Sequence, residues 1–235
     1  MKHFGIIGKP LGHSFSERYF TDMFIREGID AQYRPTEINV IEEVIPLMSQ
    51  LDGFNVTYPY KETILPYLQD IDPVAQRIGA VNVVYQGKGF NTDWIGFSNS
   101  LRPLLQPHHQ RVLLLGTGGV SKAIQYALDL LEIAYTLVSR KANKRAISYE
   151  QLDEKIMASH HIIVNCTPLG MHPFENEKPN IPYHLLGEQH LLYDCIYNPE
   201  RTLFLQEGEL QRCTLKNGLE MLHQQADEAK IIFEL

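Results

Sequence analysis

A lysine and an aspartate stand at two predicted strand ends, in settings that packing alone does not explain. Lys61 lies in GFNVTYPYKE, a segment that runs from a strand end into a predicted helix start, where a positive charge opposes the helix dipole. Asp93 lies in GFNTDWIG at another predicted helix start, where the alternative interpretation is a simple helix cap. A lysine and a carboxylate that meet in one cleft can act as a proton-transfer pair. We therefore predict that Lys61 and Asp93 carry acid-base chemistry.

Two hydroxyl side chains near the N-terminus form a second candidate site. Ser14 and Ser16, in the segment GHSFS, stand at the start of a helix predicted over residues 16–27. Either hydroxyl can cap that helix. Two hydroxyls beside a helix N-terminus can equally bind a small carboxylate. The residues alone leave both interpretations open.

A glycine-rich turn in the middle of the chain indicates a dinucleotide site. The apolar run RVLLL, residues 111–115, is followed at once by GTGGVSKA and then by a helical pattern through Leu131. In such a turn the glycines permit a tight bend and let backbone N–H groups approach a pyrophosphate at the helix N-terminus. A plain helix-start turn would not need three glycines within four residues. The residues predicted to contact the cofactor here are Gly116, Gly118, Gly119, Val120 and Ser121.

The end of the next predicted strand indicates which dinucleotide is bound. An NAD site carries an acidic residue about 20 positions beyond the glycine motif, for the ribose hydroxyl. Here that strand ends in Ser139, Arg140 and Lys141, with Lys144 close behind. A guanidinium at this point suits a ribose 2′-phosphate through charge-assisted hydrogen bonds. We predict NADP(H) as the cofactor, with solvated surface charge as the alternative interpretation of these cations.

These motifs require two alternating series of strands and helices. The predicted fold is α/β with two domains: an N-terminal α/β substrate domain and a Rossmann-like doubly wound parallel sheet, with a deep cleft between them. The predicted domains are residues 1–97, with a C-terminal helical segment 215–235 packing back onto them, and residues 98–214, with a crossover over 102–110. The predicted strands are 4–7, 32–38, 54–56, 80–85, 111–115, 135–138, 162–164 and 191–193, and further helices are 40–51, 149–158 and 217–233.

Length and composition limit the classes of protein. The chain has 235 residues, which at about 150 residues per domain allows one to two domains. Lys and Arg total 21 against 28 Asp and Glu, and a net charge of −7 gives no general attraction for nucleic acid. The three cysteines and ten histidines lack metal-site spacing, and no apolar run approaches the roughly 18 residues of a membrane span. We expect a soluble cytoplasmic protein without metal, membrane or nucleic-acid partners.

Ordered segments along almost the whole chain resemble the shikimate dehydrogenase family. The matching segments are GKPLGHSFS, GFNVTYPYKE, GAVNVV, GFNTDWIGF, GTGGVSKA, NCTPLGM, DCIYNPERTLFL and KNGLEMLHQQA. The resemblance implies NADP-dependent, reversible reduction of 3-dehydroshikimate to shikimate, in the route to aromatic amino acids. It implies that hydride moves from the nicotinamide to the ring carbonyl while Lys61, kept protonated by Asp93, polarises that oxygen and supplies or relays a proton.

The resemblance also implies roles for residues elsewhere in the chain. Ser14 and Ser16 match the hydroxyls that bind the substrate carboxylate. Positions around the substrate are matched by Asn55, Thr57, Asn82, Asp93, Tyr197 and Gln225. Positions along the cofactor are matched by Asn165, Thr167, Pro168, Gly218 and Met221. The family's usual proline after the second serine is Glu17 here, and its usual threonine after Asn82 is Val83, so a neighbouring hydroxyl is lost.

Two other functions remain open at this stage. A paralogue could take quinate, whose extra ring hydroxyl would test the contacts near Ser14, Thr57 and Tyr197, or could use NAD. A non-catalytic sensor of pathway metabolites is the alternative outside enzymes, but a sensor would not need both Lys61 and Asp93. The small-molecule substrate is the only partner implied, and the chain is expected to be a monomer or a homodimer.

Overall fold

The computed structural model describes residues 1–11 and 15–235, which divide into two compact units. The first unit is Met1–Asp93 with Gln225–Leu235, and the second is Trp94–Gln224. The predicted domains placed these boundaries after residue 97 and before residue 215. The observed divisions differ because helices Asp93–Leu101 and Leu219–Ile232 each contribute residues to both units. The predicted crossover at 102–110 lies inside the second unit.

The first unit is built on a six-stranded mixed sheet. Its strand order is β2-β1-β3-β5-β6-β4, with β1 parallel to both β2 and β3, and with β5 antiparallel to β3 and β6. In chain order the elements are β1 (Lys2–Gly8), α1 (Phe15–Glu27), β2 (Ala31–Glu37), α2 (Val44–Met48), β3 (Gly53–Val56), β4 (Asp70–Ile71), α3 (Pro73–Ile78), β5 (Val83–Tyr85) and β6 (Lys88–Phe90), followed by α4 (Asp93–Leu101). The tight β5–β6 hairpin follows from Gln86 and Gly87, which both have positive φ, at 50° and 76°.

Three sequence predictions for this unit are corrected. The helix predicted over 40–51 is a 3-10 turn, Ile41–Glu43, followed by the short α2. Pro46 lies in the first turn of α2, where proline is tolerated, but its ring and missing N–H prevent one continuous α-helix from running from residue 40 through this position. The strand predicted over 80–85 begins only at Val83. Lys61 stands in a series of turns that leads to the 3-10 segment Leu65–Tyr67, and not at an α-helix start, so the helix-dipole argument does not apply.

The second unit is a six-stranded sheet that is parallel throughout. Its elements after α4 are β7 (Arg111–Leu115), α5 (Gly119–Leu130), β8 (Ala134–Ser139), β9 (Ala146–Ser148), α6 (Glu154–Ser159), β10 (Ile162–Asn165), β11 (Leu191–Asp194), α7 (Leu203–Leu210), β12 (Thr214–Lys216) and α8 (Leu219–Ile232). The strand order is β12-β11-β10-β7-β8-β9, so the chain adds β8 and β9 on one side of β7 and β10 to β12 on the other, and the switch point lies between β7 and β10. Ligands of open α/β sheets bind at such a switch point, at the carboxyl ends of the strands.

The central strands of the second unit, β7, β10 and β11, are buried on both faces, as a parallel sheet covered by helices requires. Val112 and Leu114 pack into one core cluster with residues of α5, whereas Leu113 and Leu115 pack into another with residues of α7. The predicted α/β class and the Rossmann-like parallel sheet are therefore confirmed. The helix predicted over 149–158 is interrupted, because Asp153 caps a new helix by accepting a hydrogen bond from the backbone N–H of Ile156. Among the helices in the described part of the chain, none is long and apolar enough to cross a bilayer.

Candidate active site

A buried ion pair joins Lys61 and Asp93 in the first unit. The Nζ of Lys61 lies 2.7 Å from Oδ2 of Asp93, although the two residues are 32 positions apart. Their side chains are only 13% and 5% exposed. Removal from water strengthens the attraction between the two charges, and it makes either charge costly to leave alone. The fold thus brings the predicted acid-base pair into direct contact.

Backbone hydrogen bonds hold the segment that carries Lys61. The N–H of Thr57, directly after β3, donates to the carbonyl of Ile7 at 2.9 Å. The Lys61 carbonyl itself accepts a hydrogen bond from the N–H of Val81 at 2.7 Å. These two hydrogen bonds restrict where the lysine side chain leaves the backbone.

Asn82 orients the aspartate of this pair. Its side-chain Nδ2 lies 3.1 Å from Oδ1 of Asp93, 3.0 Å from Oγ1 of Thr92 and 3.1 Å from Oε1 of Gln225. Its Oδ1 accepts a hydrogen bond from the N–H of Thr92 at 2.7 Å. The Asn91 side chain accepts from the N–H of Asp93 at 3.1 Å. One carboxylate oxygen of Asp93 is thus held by an amide, and the other faces Lys61.

A second chain of buried polar groups connects Asn55 to this network. Asn55 Nδ2 donates to the carbonyl of Asn82 at 3.3 Å, and Asn55 Oδ1 accepts from the Tyr33 hydroxyl at 2.7 Å. Tyr33 also hydrogen-bonds Ser16, and its complete burial raises the pKa of the phenol well above its usual range. The Tyr33 hydroxyl therefore stays a hydrogen-bond donor at any ordinary pH.

The predicted substrate-binding residues of the first unit fall in and around this network. Ser16 is buried in α1, and Gln225 is buried in α8. Thr57 is half-buried, and its methyl group occupies the space that a β-carbon at Gly8 would need. Ser14 lies outside the described residues.

The glycine-rich turn has the geometry expected of a phosphate cradle. Gly116 has φ +104°, and a β-carbon there would lie 3.2 Å from the carbonyl group of Cys166, so only glycine fits without strain. Gly118 is the N-cap of α5; no side chain caps the helix, and a β-carbon there would meet nothing within 4 Å. Ser121 is fully buried, and its hydroxyl donates to the Gly116 carbonyl at 2.8 Å. The helix thus presents open N–H groups from Gly119 and Val120, which fits a pyrophosphate.

The other predicted cofactor residues of the second unit have mixed surroundings. Arg140, Lys141 and Lys144 are exposed at the end of β8, and within the described chain no ion pair involves them. Asn165 shapes the loop after β10, because its Oδ1 accepts from both the N–H and the hydroxyl of Thr167. Pro168 is half-buried in the same loop, and Ser139 donates through its hydroxyl to the Lys141 carbonyl.

Three further predicted residues lie after β11 and at the start of α8. Met221 is 6% exposed and packs in the core cluster around β7 and α5. A β-carbon at Gly218 would lie 2.3 Å from the carbonyl oxygen of Cys195, so this position must be glycine. Tyr197 is half-buried in the loop after β11.

Several polar residues of these networks were not identified from the sequence. Tyr33, Asn91 and Thr92 support the Lys61–Asp93 pair, and the only signal for the last two was their place beside Asp93 in GFNTDWIGF. Asp194 is fully buried and accepts from Asn165 Nδ2 at 3.1 Å and from the Thr202 hydroxyl at 2.6 Å. Burial raises the pKa of the Asp194 carboxyl to about 6. Across residues 1–11 and 15–235, no group of three or more His, Cys, Asp or Glu side chains is arranged to hold a metal ion.

Comparison with known proteins places both units in one family. A model of the shikimate dehydrogenase substrate binding domain matches residues 6–84. A shikimate dehydrogenase (NADP(+)) from Methanosphaera stadtmanae is 32% identical over 254 residues, covering 97% of this chain and 90% of the relative. The solved structure of shikimate 5-dehydrogenase from Thermus thermophilus in complex with NADP(H) and shikimate is 27% identical, with a TM-score of 0.86 over 99% of this chain and 93% of that one. The structure of the Listeria monocytogenes enzyme in complex with shikimate and NAD is also 27% identical, with a TM-score of 0.83 over 100% of this chain and 92% of that one. With such similarity along nearly its whole length, the chain belongs to the shikimate dehydrogenase family.

Proposed function

We propose that this protein catalyses the reversible, NADP(H)-dependent reduction of 3-dehydroshikimate to shikimate, a step of aromatic amino acid biosynthesis. The observation that carries the proposal is the buried Lys61–Asp93 pair, whose carboxylate is oriented by Asn82. Proton transfer to a developing alkoxide requires a charged group and hydrogen-bond donors that are already held in position, and this pair provides them. The names of the relatives supply the substrate and cofactor.

In the proposed reaction the protein donates or accepts one proton, and the cofactor, when bound, supplies or accepts a hydride at its nicotinamide ring. The Lys61 ammonium donates a hydrogen bond to the carbonyl oxygen of the substrate and supplies or relays the proton that this oxygen gains. Asp93 holds the Lys61 ammonium in place by direct contact, and a proton from solvent replaces the one that Lys61 gives to the substrate oxygen. In the oxidative direction Lys61 accepts the hydroxyl proton by the same path.

The substrate has one carboxylate and several ring hydroxyls, which match two groups of side chains. Ser14 and Ser16 hold the carboxylate through their hydroxyls. The ring hydroxyls are bound by side chains that can both donate and accept, namely Asn55, Thr57, Asn82, Tyr197 and Gln225, and by the Asp93 carboxylate, which only accepts. The buried hydrogen-bond network among Asn55, Asn82 and Gln225 supports this assignment, because it fixes each amide in a single orientation.

NADP(H) fits the residues of the second unit. Its pyrophosphate is held by backbone N–H groups of the turn formed by Gly116, Gly118, Gly119, Val120 and Ser121. Its 2′-phosphate pairs with Arg140, assisted by Ser139, Lys141 and Lys144 at the end of β8. The remaining contacts along the cofactor come from Asn165, Thr167, Pro168, Gly218 and Met221. The open space at Gly118 and the exposure of Arg140 support the fit.

We further propose that each unit has one role. The predicted domain 1–97, with the C-terminal segment 215–235, corresponds to the first unit and binds the substrate, and the predicted domain 98–214 corresponds to the second unit and binds the cofactor; Gly218 and Met221 belong to the second unit by their contacts. The protein is proposed to act in the cytoplasm as a monomer or homodimer, with small molecules as its ligands.

An NAD-dependent enzyme is the second candidate, favoured by one observation. A relative of equal similarity to the NADP(H)-bound one is described as a complex of shikimate with NAD. Steady-state turnover of shikimate and of quinate, each with NADP and with NAD, tests both proposals together. We expect the highest kcat/KM for shikimate with NADP. Equal values for NADP and NAD would contradict the cofactor assignment, and absence of turnover with any pair would favour a metabolite sensor.

A further inference from the structure

Two cysteines of the second unit lie side by side at the carboxyl edge of its sheet. The Sγ atoms of Cys166 and Cys195 are 3.7 Å apart, and neither residue is in a disulfide. Cys166 directly follows β10 and Cys195 directly follows β11. The N–H of Cys195 donates to the carbonyl of Asn165 at 3.0 Å, which continues the parallel ladder of these two strands.

The register of the two strands explains why the thiols meet. Asn165 pairs with Asp194, so the next residue of each strand falls at the same level. Side chains at equal positions of neighbouring strands point to the same face. Both cysteines therefore pack at the rim of the cluster that contains Val164 and Tyr193, two residues earlier on each strand. Neighbouring strands lie about 4.8 Å apart, which is within the Cα separation of about 4.4–6.8 Å that a disulfide spans.

The position of a third cysteine provides a comparison for the pair. All three cysteines are half-buried. The third cysteine, Cys213, packs against the opposite core cluster. Burial raises the pKa of the Cys213 thiol to about 11, so little of it is thiolate at neutral pH. The chain thus contains a close pair of half-buried thiols and, against a different core cluster, a third cysteine that serves as an internal control.

The backbone of each cysteine supports a glycine of the proposed cofactor site. The carbonyl group of Cys166 is 3.2 Å from the position of a β-carbon at Gly116. The carbonyl oxygen of Cys195 is 2.3 Å from the same position at Gly218. Gly116 opens the phosphate turn, and Gly218 precedes α8. The same segments are joined by hydrogen bonds: the N–H of Cys166 donates to the carbonyl of Leu115, and the N–H of Gly218 donates to the carbonyl of Ile196, each at 2.9 Å. A displacement of either cysteine backbone therefore strains a hydrogen bond next to one of these glycines.

We propose that Cys166 and Cys195 form a dithiol that peroxide or small disulfides oxidise to an intramolecular disulfide, and that this modification weakens binding of NADP(H) by the second unit. The effect on NADP(H) binding rests on the proposed function, whereas formation of the disulfide depends on the thiols alone.

The oxidation transfers two electrons from the two thiols to the oxidant. With hydrogen peroxide, one thiolate attacks an oxygen, breaks the O–O bond and becomes a sulfenic acid, while hydroxide leaves and takes a proton. The second thiol attacks that sulfur, the S–S bond forms, and the sulfenic oxygen leaves as water. Two thiols lose two electrons and two protons in total, and one peroxide becomes two waters. With a small disulfide as oxidant, two exchange steps give the same protein disulfide and two small thiols.

Bringing the sulfur atoms from 3.7 Å to bonding distance must move the two loops towards each other. Because hydrogen bonds join these loops to the backbone beside Gly116 and to Gly218, we expect the phosphate turn and the start of α8 to shift with them. Linkage then requires a reciprocal effect: if the disulfide weakens NADPH binding by some factor, bound NADPH disfavours the disulfide by the same factor. We expect a factor of about ten, within the usual range of such couplings.

The test equilibrates the full-length chain in glutathione redox buffers, with and without saturating NADPH, and then maps thiols by alkylation and mass spectrometry. We expect one disulfide-linked peptide pair containing Cys166 and Cys195, while Cys213 stays alkylatable. Oxidation should raise the Kd of NADPH, which is measured by NADPH fluorescence. Saturating NADPH should shift the midpoint of disulfide formation by the same factor. Dithiothreitol should restore the free thiols and the original Kd.

Matched variants separate the possible outcomes. C213A should behave as the parent chain, whereas C195A and C166A should form no such disulfide and keep an NADPH Kd that oxidant does not change. Glutathione attached singly to either cysteine, or a disulfide with unchanged NADPH Kd, overturns the inference. A reduced chain that neither binds NADPH nor turns over shikimate contradicts the proposed function instead, and thiol mapping still decides whether the disulfide forms.

Discussion

The side-chain amide of Asn82 donates to Oδ1 of Asp93 at 3.1 Å, on the carboxylate oxygen that Lys61 does not contact. The amide is itself held by Thr92, whose N–H donates to Asn82 Oδ1 at 2.7 Å. A carboxylate fixed from one side in this way cannot rotate away from the lysine. The orientation of the acid-base pair therefore depends on a residue that carries no charge.

Replacing Asn82 by alanine should lower both activity and stability. The N–H of Thr92 and one oxygen of Asp93 would lose a partner in a buried site, which costs about 1–3 kcal/mol per group. We expect the free energy of unfolding to fall by about that amount and kcat to fall by about 10- to 100-fold as Asp93 loses its orientation. Urea unfolding and steady-state kinetics measure the two effects. N39A, at an exposed asparagine of the same unit, is the control, and an N82A enzyme with parental kcat would refute the positioning role.

Replacing Lys61 by alanine should reduce kcat by about 100- to 10,000-fold, the usual contribution of a positioned acid or base. Shikimate binding, measured by calorimetry, should change much less, because the lysine is proposed to act on the developing charge rather than on the bound ground state. The matched control is K88A, since Lys88 also pairs with an aspartate, Asp70, but at the surface. A K61A enzyme with a near-normal rate would exclude the proposed role.

The parts of the molecule that were predictable from sequence are those fixed by local patterns. The position of β7 and of the turn after it was predicted correctly, because a short apolar run followed by closely spaced glycines is compatible with few structures other than a buried strand and a tight turn. The helix predicted over 40–51 was wrong in extent, because Pro46 prevents one continuous α-helix from running through its position. The contact between Asn82 and Gln225 could not be inferred, since those residues are 143 positions apart and meet only through tertiary packing. The same applies to Tyr33, which reads as an ordinary strand residue.

Replacing Arg140 by alanine should weaken NADP(H) binding by about 10- to 100-fold, the value of a lost hydrogen bond between charged groups. NAD(H) lacks the 2′-phosphate, so its Kd should change by less than about twofold. Fluorescence titration of both reduced cofactors gives the ratio. R111A is a matched control, because Arg111 is exposed at the opposite end of the same sheet. Equal losses for the two cofactors would assign the 2′-phosphate to other residues.

Three buried histidines of the second unit should make the protein less stable in mild acid. Burial lowers the pKa of His109, His160 and His190 from the usual 6.5. The unfolded chain then binds more protons than the native one below about pH 6.5, so stability is full above that pH and is lost as the pH falls towards the native pKa values. Each histidine contributes up to about 1.4 kcal/mol per pH unit in that range.

Urea unfolding at about pH 7.5 and pH 5.5 measures this loss. H190Q should reduce the difference between the two pH values, because glutamine does not titrate. H184Q, at an exposed histidine of the same unit, should leave the difference unchanged. Identical pH dependence in H190Q and the parent chain would show that the His190 pKa is not depressed in the native state.

Asp194 should act in the opposite direction over a lower pH range. Burial raises the pKa of its carboxyl from 3.8 to about 6, against the hydrogen bonds from Thr202, Ile196 and Asn165 that favour the charged form. The native chain therefore binds more protons than the unfolded one between these values, and the stability that Asp194 contributes is full below about pH 4 and is lost as the pH rises through about 6.

Substitution by asparagine removes this titration while keeping an oxygen acceptor for Asn165 and Ile196. The free energy of unfolding of D194N, relative to the parent chain, should therefore increase by up to about 3 kcal/mol between pH 4 and pH 7. D129N, at an exposed aspartate on α5, should show no such change. Because the histidines are present in both chains, their titration cancels in the difference. Parallel stability curves for D194N and the parent would mean that the Asp194 carboxyl titrates alike in the native and unfolded states.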